Sequence, residues 1–304
     1  MGHLGTITRL RPEYAAFLNQ RNIVHRGEVV VFRPNCSTPY FTTDPAGFRH
    51  TMLDGTALSV ADALKRDRYG IVLGSSHVFG VGLVGNEHTI PSVLSQRFGF
   101  PFANVSVPEG NSRNLFSLLN ALVARAPKRP TAVVHFSGGD FSNFCIGGSV
   151  DPVFGSPNLK QVGNANKRAA SYPPAKQFIP ALLAFTTLWT RSIVQLCRAR
   201  DIPIVLANDT SFFEKESEPS EYERTCRLGS AFNALQRHWF ATHREFYPRF
   251  LARREEVAAN FSVTLAGPGG RNRLTFIDEF HYDIEGTRAF ANDTASAIEP
   301  LVSV

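Results

Sequence analysis

The pattern of apolar and polar positions changes character near residue 60. Before that point the one clear apolar run is Glu28-Val29-Val30-Val31-Phe32, whose β-branched residues predict a strand. Pro34, Asn35, Pro39, Asp44, Pro45 and Gly47 follow as turn formers. Residues 1–60 therefore read as a β-rich extension packed beside a main domain. After it, short apolar runs alternate with segments of helical spacing. Strands are predicted at Ile71-Val72-Leu73-Gly74, Phe102 to Val107, Thr131 to Phe136, Ile202 to Ala207 and Ser262 to Leu265. Helices are predicted from Ser59 (as N-cap), over Thr89 to Phe98, over Ser112 to Arg125, over Gln177 to Arg200 and over Glu285 to Ile298. Glu221 to Asn260 is a long helical stretch interrupted near Pro248, which predicts a helix pair or a kinked helix.

Strands that alternate with helices imply βαβ crossovers, and strands without an apolar-polar alternation imply burial on both faces. The fold class is α/β: a three-layer α/β/α sandwich around a five-stranded parallel sheet, spanning residues 61–304. Residues 147–176 break the rhythm with Gly, Pro, Asn and Ser, and read as a flap over the site.

Composition narrows the function classes. The chain has 304 residues, with 32 Lys and Arg against 26 Asp and Glu, a net charge of +6. That balance allows acidic partners. No run of like charge is long enough for a nucleic-acid tail, however: Arg253-Arg254 is followed at once by Glu255-Glu256. No nucleic-acid partner is expected. The four cysteines are scattered without a Cys-x-x-Cys pair, so zinc spacing is absent, a disulfide framework is not expected in a chain this size, and reduced thiols fit a cytoplasmic protein. Met1 to Gln20 has no apolar signal core, and no segment approaches the ~20 apolar residues of a membrane span. The loose myristoylation pattern at Met1 to Thr6 is assigned to chance. The sequence carries no signal for an oligomeric state.

Candidate chemistry centres on Gly74-Ser75-Ser76-His77, where the first strand of the main domain ends. Ligands of parallel α/β sheets bind at the carboxyl ends of strands. A serine hydroxyl there needs a base, and the base needs a fixed tautomer. Asp278 and His281, three apart in a turn before the last helix, could supply both. Oxyanion donors would come from the turns after the second and third strands, Pro108 to Ser112 and Ser137 to Asp140. His77 and His135 read as packing residues, and His238 and His243 have the wrong spacing for a shared metal face. The glycines of 74–82 lack the lysine of a phosphate loop, and Gly-x-Ser-x-Gly is absent, which argues against an ordinary α/β-hydrolase. No metal and no organic cofactor is expected.

Taken together, four blocks resemble the SGNH (GDSL-type) hydrolase family. Gly74-Ser75-Ser76 with Phe79-Gly80-Val81-Gly82 is similar to the first block, and Val107 to Ser112 to the second. Phe136-Ser137-Gly138-Gly139-Asp140-Phe141 occupies the place of the third. Asp278-Glu279-Phe280-His281, with Gly286 five residues on, matches the fourth. Asp44 to Arg49 is also similar to the Gly-Phe-Arg segment that precedes the first block in some bacterial members.

The resemblance implies a flavodoxin-like strand order, Ser76 as nucleophile, His281 as general base and Asp278 as its orienting acid. It also implies the amides of Ser76 and Gly110 as oxyanion donors. Two positions depart from the family. Ser75 replaces its Asp, and Gly139 replaces an Asn that offers a side-chain donor; the Gly139 amide, Asn143 and Asn111 are candidate substitutes. The expected function is a serine esterase acting, through an acyl-enzyme, on an acetyl or short-chain ester of a carbohydrate or small metabolite. An acyltransferase on the same triad, and a binding protein that keeps the fold without catalysis, stay open. Lys160, Lys167 and Arg168 in the flap, with Arg271-Asn272-Arg273, suggest an anionic substrate.

Overall fold

The five apolar runs after residue 60 become one parallel sheet. The structure is a computed structural model and describes residues 11, 13–18, 22–26, 29–108, 110–137, 139–141, 175–208, 218, 220–221, 234–267, 274–278 and 281–303. The first 60 residues contain α1 (Tyr14–Leu18), β1 (Ile23–Arg26), β2 (Val29–Phe32), β3 (Thr51–Leu53) and β4 (Thr56–Leu58). They are followed by α2 (Val60–Leu64), β5 (Gly70–Gly74), α3 (Ser76–Phe79), a 3-10 turn at Asn86–His88, α4 (Ile90–Phe98) and β6 (Phe102–Ser106). Then come α5 (Ser112–Arg125), β7 (Ala132–Phe136), α6 (Ala175–Ala199), β8 (Ile204–Ala207), α7 (Ala234–Phe261), β9 (Thr264–Ala266) and α8 (Ile284–Val302).

The sheet order is β6-β5-β7-β8-β9, with every pair parallel. This is the flavodoxin-like order. From β5 the chain crosses to one edge and then returns to build the other half, which leaves a crevice at the carboxyl ends of β5 and β7. Alternate residues of each strand feed two cores. Ile71, Leu73, Val105, Val133 and Leu206 pack on one face with Leu115, Leu119, Ile193, Val194 and Val257 from α5, α6 and α7. Val72, Phe102, Val134 and Val205 pack on the other with Ile90 and Leu94 of α4 and Phe290 and Ile298 of α8. Three layers follow from that division.

The extension is made of two antiparallel hairpins, β1-β2 and β3-β4, and the short helix α1. It does more than lie alongside. Tyr14, Phe17, Phe32 and Phe41 share a buried cluster with Phe79, Val81, Leu83 and Ile277, so its aromatic residues wall the turn that carries Ser76.

Of the 221–260 stretch, residues 222–233 lie outside the described residues; over Ala234–Phe261 the chain is one helix, α7, with Pro248 inside it. Proline removes one backbone donor. Here Phe246, Tyr247 and Phe250 lie buried on either side of that position, and packing along the shared face holds the helix together across it. The expected flap lies outside the described residues up to position 174.

His135 on β7 is fully buried, and neither ring nitrogen has a hydrogen-bond partner among the described residues. Burial, reinforced by the charge of Arg254, holds its pKa well below the ordinary 6.5. The folded protein thus keeps the ring neutral where the unfolded chain protonates it. Stability from this group is present above pH 6.5 and is lost as pH falls below it. Urea unfolding at pH 7 and pH 5 checks this. Wild type is expected to lose up to about 1.4 kcal/mol per pH unit more than a His135→Leu variant; equal losses would show that the ring does not stay neutral.

Candidate active site

Ser76 is the first residue of α3, immediately past β5. The helix is one turn long and ends at Gly80, whose φ of +84° is the left-handed conformation that glycine adopts without strain. Ser75 is buried at the N-cap with its Oγ 3.0 Å from His77 Nδ1. His77 is accordingly turned to Ser75 and packs edge-on to Phe136.

Arg49 holds the turn from behind. Its guanidinium is buried, at 1% exposure, and no carboxylate pairs with it among the described residues. It donates instead to oxygens of the loop that follows Ser76: Gly80 O at 2.6 Å, Leu83 O at 2.9 Å, Gly85 O at 2.8 Å and Asn86 Oδ1 at 2.9 Å, with Tyr40 O at 3.3 Å. The rings of Phe17, Phe41 and Phe79 surround the cation with centroids 5.6–5.9 Å away. Burial pushes its pKa down to about 9, opposed by the charge of Glu87, so the group stays charged at neutral pH.

The other half of the site is the 275–283 turn. Its neck is closed by Ile277 N–H donating to His281 O at 2.7 Å and Asp283 N–H donating to Thr275 O at 3.1 Å. Inside it, Asp278 Oδ1 accepts the His281 amide at 2.8 Å. Asp283 then caps α8 by accepting Gly286 N–H at 2.9 Å. A Cβ at Gly286 would lie 2.3 Å from Thr275 O, so this glycine lets the last helix start against the turn.

These pieces meet. His281 Nε2 lies 2.8 Å from Ser76 Oγ, and His281 Nδ1 lies 2.6 Å from Asp278 Oδ2. The His281 and Asp278 side chains are 14% and 7% exposed, so both are largely shielded from water. An ionised carboxylate only accepts hydrogen bonds. Nδ1 therefore carries the proton, and in the neutral ring Nε2 is left as an acceptor for the Ser76 hydroxyl. A fourth residue joins the chain: Tyr14 of α1 donates from its hydroxyl to Asp278 Oδ2 at 2.5 Å and sits 3.4 Å from His281 Nδ1. Sequence reasoning missed Tyr14, because nothing local marks a tyrosine 264 positions from its partner.

The expected oxyanion groups are placed less uniformly. The Ser76 amide has no hydrogen-bond partner among the described residues, as befits the first N–H of a helix. The Gly110 amide donates to Val107 O at 3.0 Å, closing a tight turn, and the Gly139 amide donates to Gly110 O at 2.7 Å. Both N–H groups are committed to the turns. Asn111 caps α5, its side chain accepting from Asn114 N–H at 2.9 Å. Asp140 is buried and accepts from Ser112 N–H at 2.9 Å and Ser112 Oγ–H at 2.5 Å, which ties the turn after β7 to the turn after β6. Asn143, Lys160, Lys167, Arg168, Arg271 and Arg273 lie outside the described residues. No group of three or more His, Cys, Asp and Glu side chains that could hold a metal occurs among the described residues, and no helix there is long and apolar enough to cross a membrane.

No protein-family model matches the chain, and no curated protein matches it. Similar solved structures exist. A carbohydrate acetylesterase family member from Sinorhizobium meliloti is 16% identical, with 78% of this chain and all of that one covered at a TM-score of 0.48. A GDSL-like lipase from Bacteroides thetaiotaomicron is 13% identical, covering 78% and 88% at a TM-score of 0.43. AlinE4, an SGNH-hydrolase family esterase, is 15% identical, covering 66% and 75% at a TM-score of 0.36. The second carries GDSL and the third SGNH in its name.

The Arg49 cradle has a measurable consequence. Removing the guanidinium leaves several buried carbonyls without donors, at about 1–3 kcal/mol for each that water cannot reach. Arg49→Leu is expected to lower unfolding free energy by at least about 3 kcal/mol in urea titrations. A loss under about 1 kcal/mol would mean the loop does not depend on it.

Proposed function

We propose that this chain is an SGNH-type serine esterase that cleaves an acetyl or short-chain acyl ester of a carbohydrate or small metabolite through an acyl-enzyme. The observation that carries the proposal is the hydrogen-bonded series from Ser76 Oγ through His281 to Asp278, with donor and acceptor directions fixed by the carboxylate.

The proposed steps use only this chain's groups, the ester and water. Ser76 Oγ attacks the carbonyl carbon while its proton passes to His281 Nε2, 2.8 Å away. Asp278 stabilises the imidazolium and holds the ring in plane. The developing oxyanion lies near the first turn of α3, where the Ser76 N–H is available. His281 then protonates the leaving alkoxide, the C–O bond breaks, and the acyl group stays on Ser76. In the second half a water molecule gives a proton to His281, attacks the acyl carbon and releases the acid, returning Ser76 to its hydroxyl form. Gly110 and Gly139 would join the oxyanion site if the acyl group draws their amides away from the turn carbonyls. The anionic character of the substrate remains part of the proposal, resting on Lys167, Arg168 and Arg271 as sequence candidates.

The test uses p-nitrophenyl esters of increasing chain length and a fluorophosphonate probe. Wild type is expected to hydrolyse the acetyl ester fastest and to gain one covalent adduct, located on Ser76 by peptide mass spectrometry. Ser76→Ala is expected to lose the adduct and at least about 10³-fold in kcat. An unlabelled wild type with no esterase activity above Ser76→Ala would overturn the proposal.

A further inference from the structure

We infer that Tyr14 is a positioning residue for the Asp278–His281 pair, so that the N-terminal helix is a working part of the site. The inference rests on the esterase reading for its effect on rate, but its structural content is testable without turnover.

Among the described residues, three donors converge on one carboxylate. Asp278 Oδ1 takes the His281 amide, and Oδ2 takes both the His281 ring and the Tyr14 hydroxyl. The His281 amide and ring already hold one edge of the carboxylate, and the Tyr14 hydroxyl adds a bond from a different element that keeps Oδ2 in line with Nδ1. The Tyr14 ring meets the imidazole edge-on, with centroids 6.2 Å apart and planes at 64°, and the residue is only 3% exposed. It therefore covers the Asp278–His281 bond and keeps water from competing for the carboxylate.

The helix that presents Tyr14 is anchored independently. One turn on, Phe17 stacks on Phe41 at 4.6 Å and meets Phe32 edge-on. Both belong to the cluster that includes Phe79 of α3. The extension thus touches both halves of the relay, at Phe79 behind Ser76 and at Asp278 behind His281.

The hydroxyl also sets the electrostatics. Asp278 on its own turn, Tyr14 from α1 and Ser76 from α3 face the imidazole among the described residues; Arg11 and Glu13, next to Tyr14, lie 3.5 Å from each other. A phenol bonded to Oδ2 draws off part of the carboxylate charge. Without it, Asp278 attracts the imidazolium more strongly, and His281 stays protonated to higher pH.

The experiment compares wild type with Tyr14→Phe, which keeps the ring and its packing, and with 3-fluorotyrosine at position 14, whose hydroxyl is a stronger donor. Proton NMR reads the low-field His281 Nδ1–H resonance and the imidazole titration midpoint, with Tm as the control for folding. Tyr14→Phe is expected to move the resonance downfield and the midpoint up by about half a pH unit, and fluorotyrosine to move both the other way. In ester hydrolysis Tyr14→Phe is expected to lower kcat about tenfold with KM unchanged, and to shift the acid limb of the rate profile to higher pH. An unmoved resonance and midpoint in a folded Tyr14→Phe protein overturn the inference even where Ser76 takes the fluorophosphonate. A missing Ser76 adduct overturns the esterase reading and leaves the NMR comparison to decide on Tyr14.

Discussion

A buried cation that pairs with no carboxylate among the described residues organises the Ser76 turn. Moving a guanidinium out of water is costly unless its donors are met. Arg49 meets them with carbonyls from Gly80, Leu83 and Gly85 and with Asn86, all from the single loop that follows Ser76. The planar fork of arginine suits this task, since its five donors diverge in fixed directions. Lysine would offer a point charge to oxygens spread over a plane. A path for residues 80–86 that turned these oxygens away would leave the charge without acceptors, which favours this course of the loop and with it the place of the short helix ahead of it.

A second tie joins the remaining strand ends. Asp140 grips Ser112 by both its amide and its hydroxyl, at the start of the 14-residue helix α5, where a negative charge is favoured by the helix dipole. The acid of the third sequence block thus serves architecture. It sets the spacing of the turns after β6 and β7, and the Gly139-to-Gly110 backbone bond reinforces that spacing. The rim of the crevice is held from two sides, by Arg49 behind Ser76 and by Asp140 opposite.

Much of this was legible in the sequence, for a physical reason. Strands buried on both faces need uninterrupted apolar residues, so Ile71-Val72-Leu73 and its counterparts stand out against helical periodicity. That Ser76, Asp278 and His281 would be neighbours was legible because strand-end turns confine chemistry to few positions. Pro248 left a helix pair and a kinked helix open in the sequence, because the packing on both sides of it that carries one helix through lies beyond any local rule. The commitment of the Gly110 and Gly139 amides was hidden, since turn hydrogen bonds depend on backbone angles that residue types only bias. Arg49 was visible as a motif fragment, but the carbonyl cradle that explains it exists only in three dimensions. Tyr14 left no trace at all, lying in a segment without periodicity.

The relay draws its members from opposite ends of the chain. Ser76 and His281 are 205 positions apart, and Tyr14 and Asp278 are 264 apart. Contacts of such separation close late, because the loop entropy must be met before they form. During synthesis the aromatic helix and the Ser76 turn leave the ribosome long before the 275–283 turn exists. A nascent chain therefore carries the Ser76 hydroxyl without its imidazole partner, and the hydrogen-bonded series closes only when the last tenth of the polypeptide has folded back onto segments made long before.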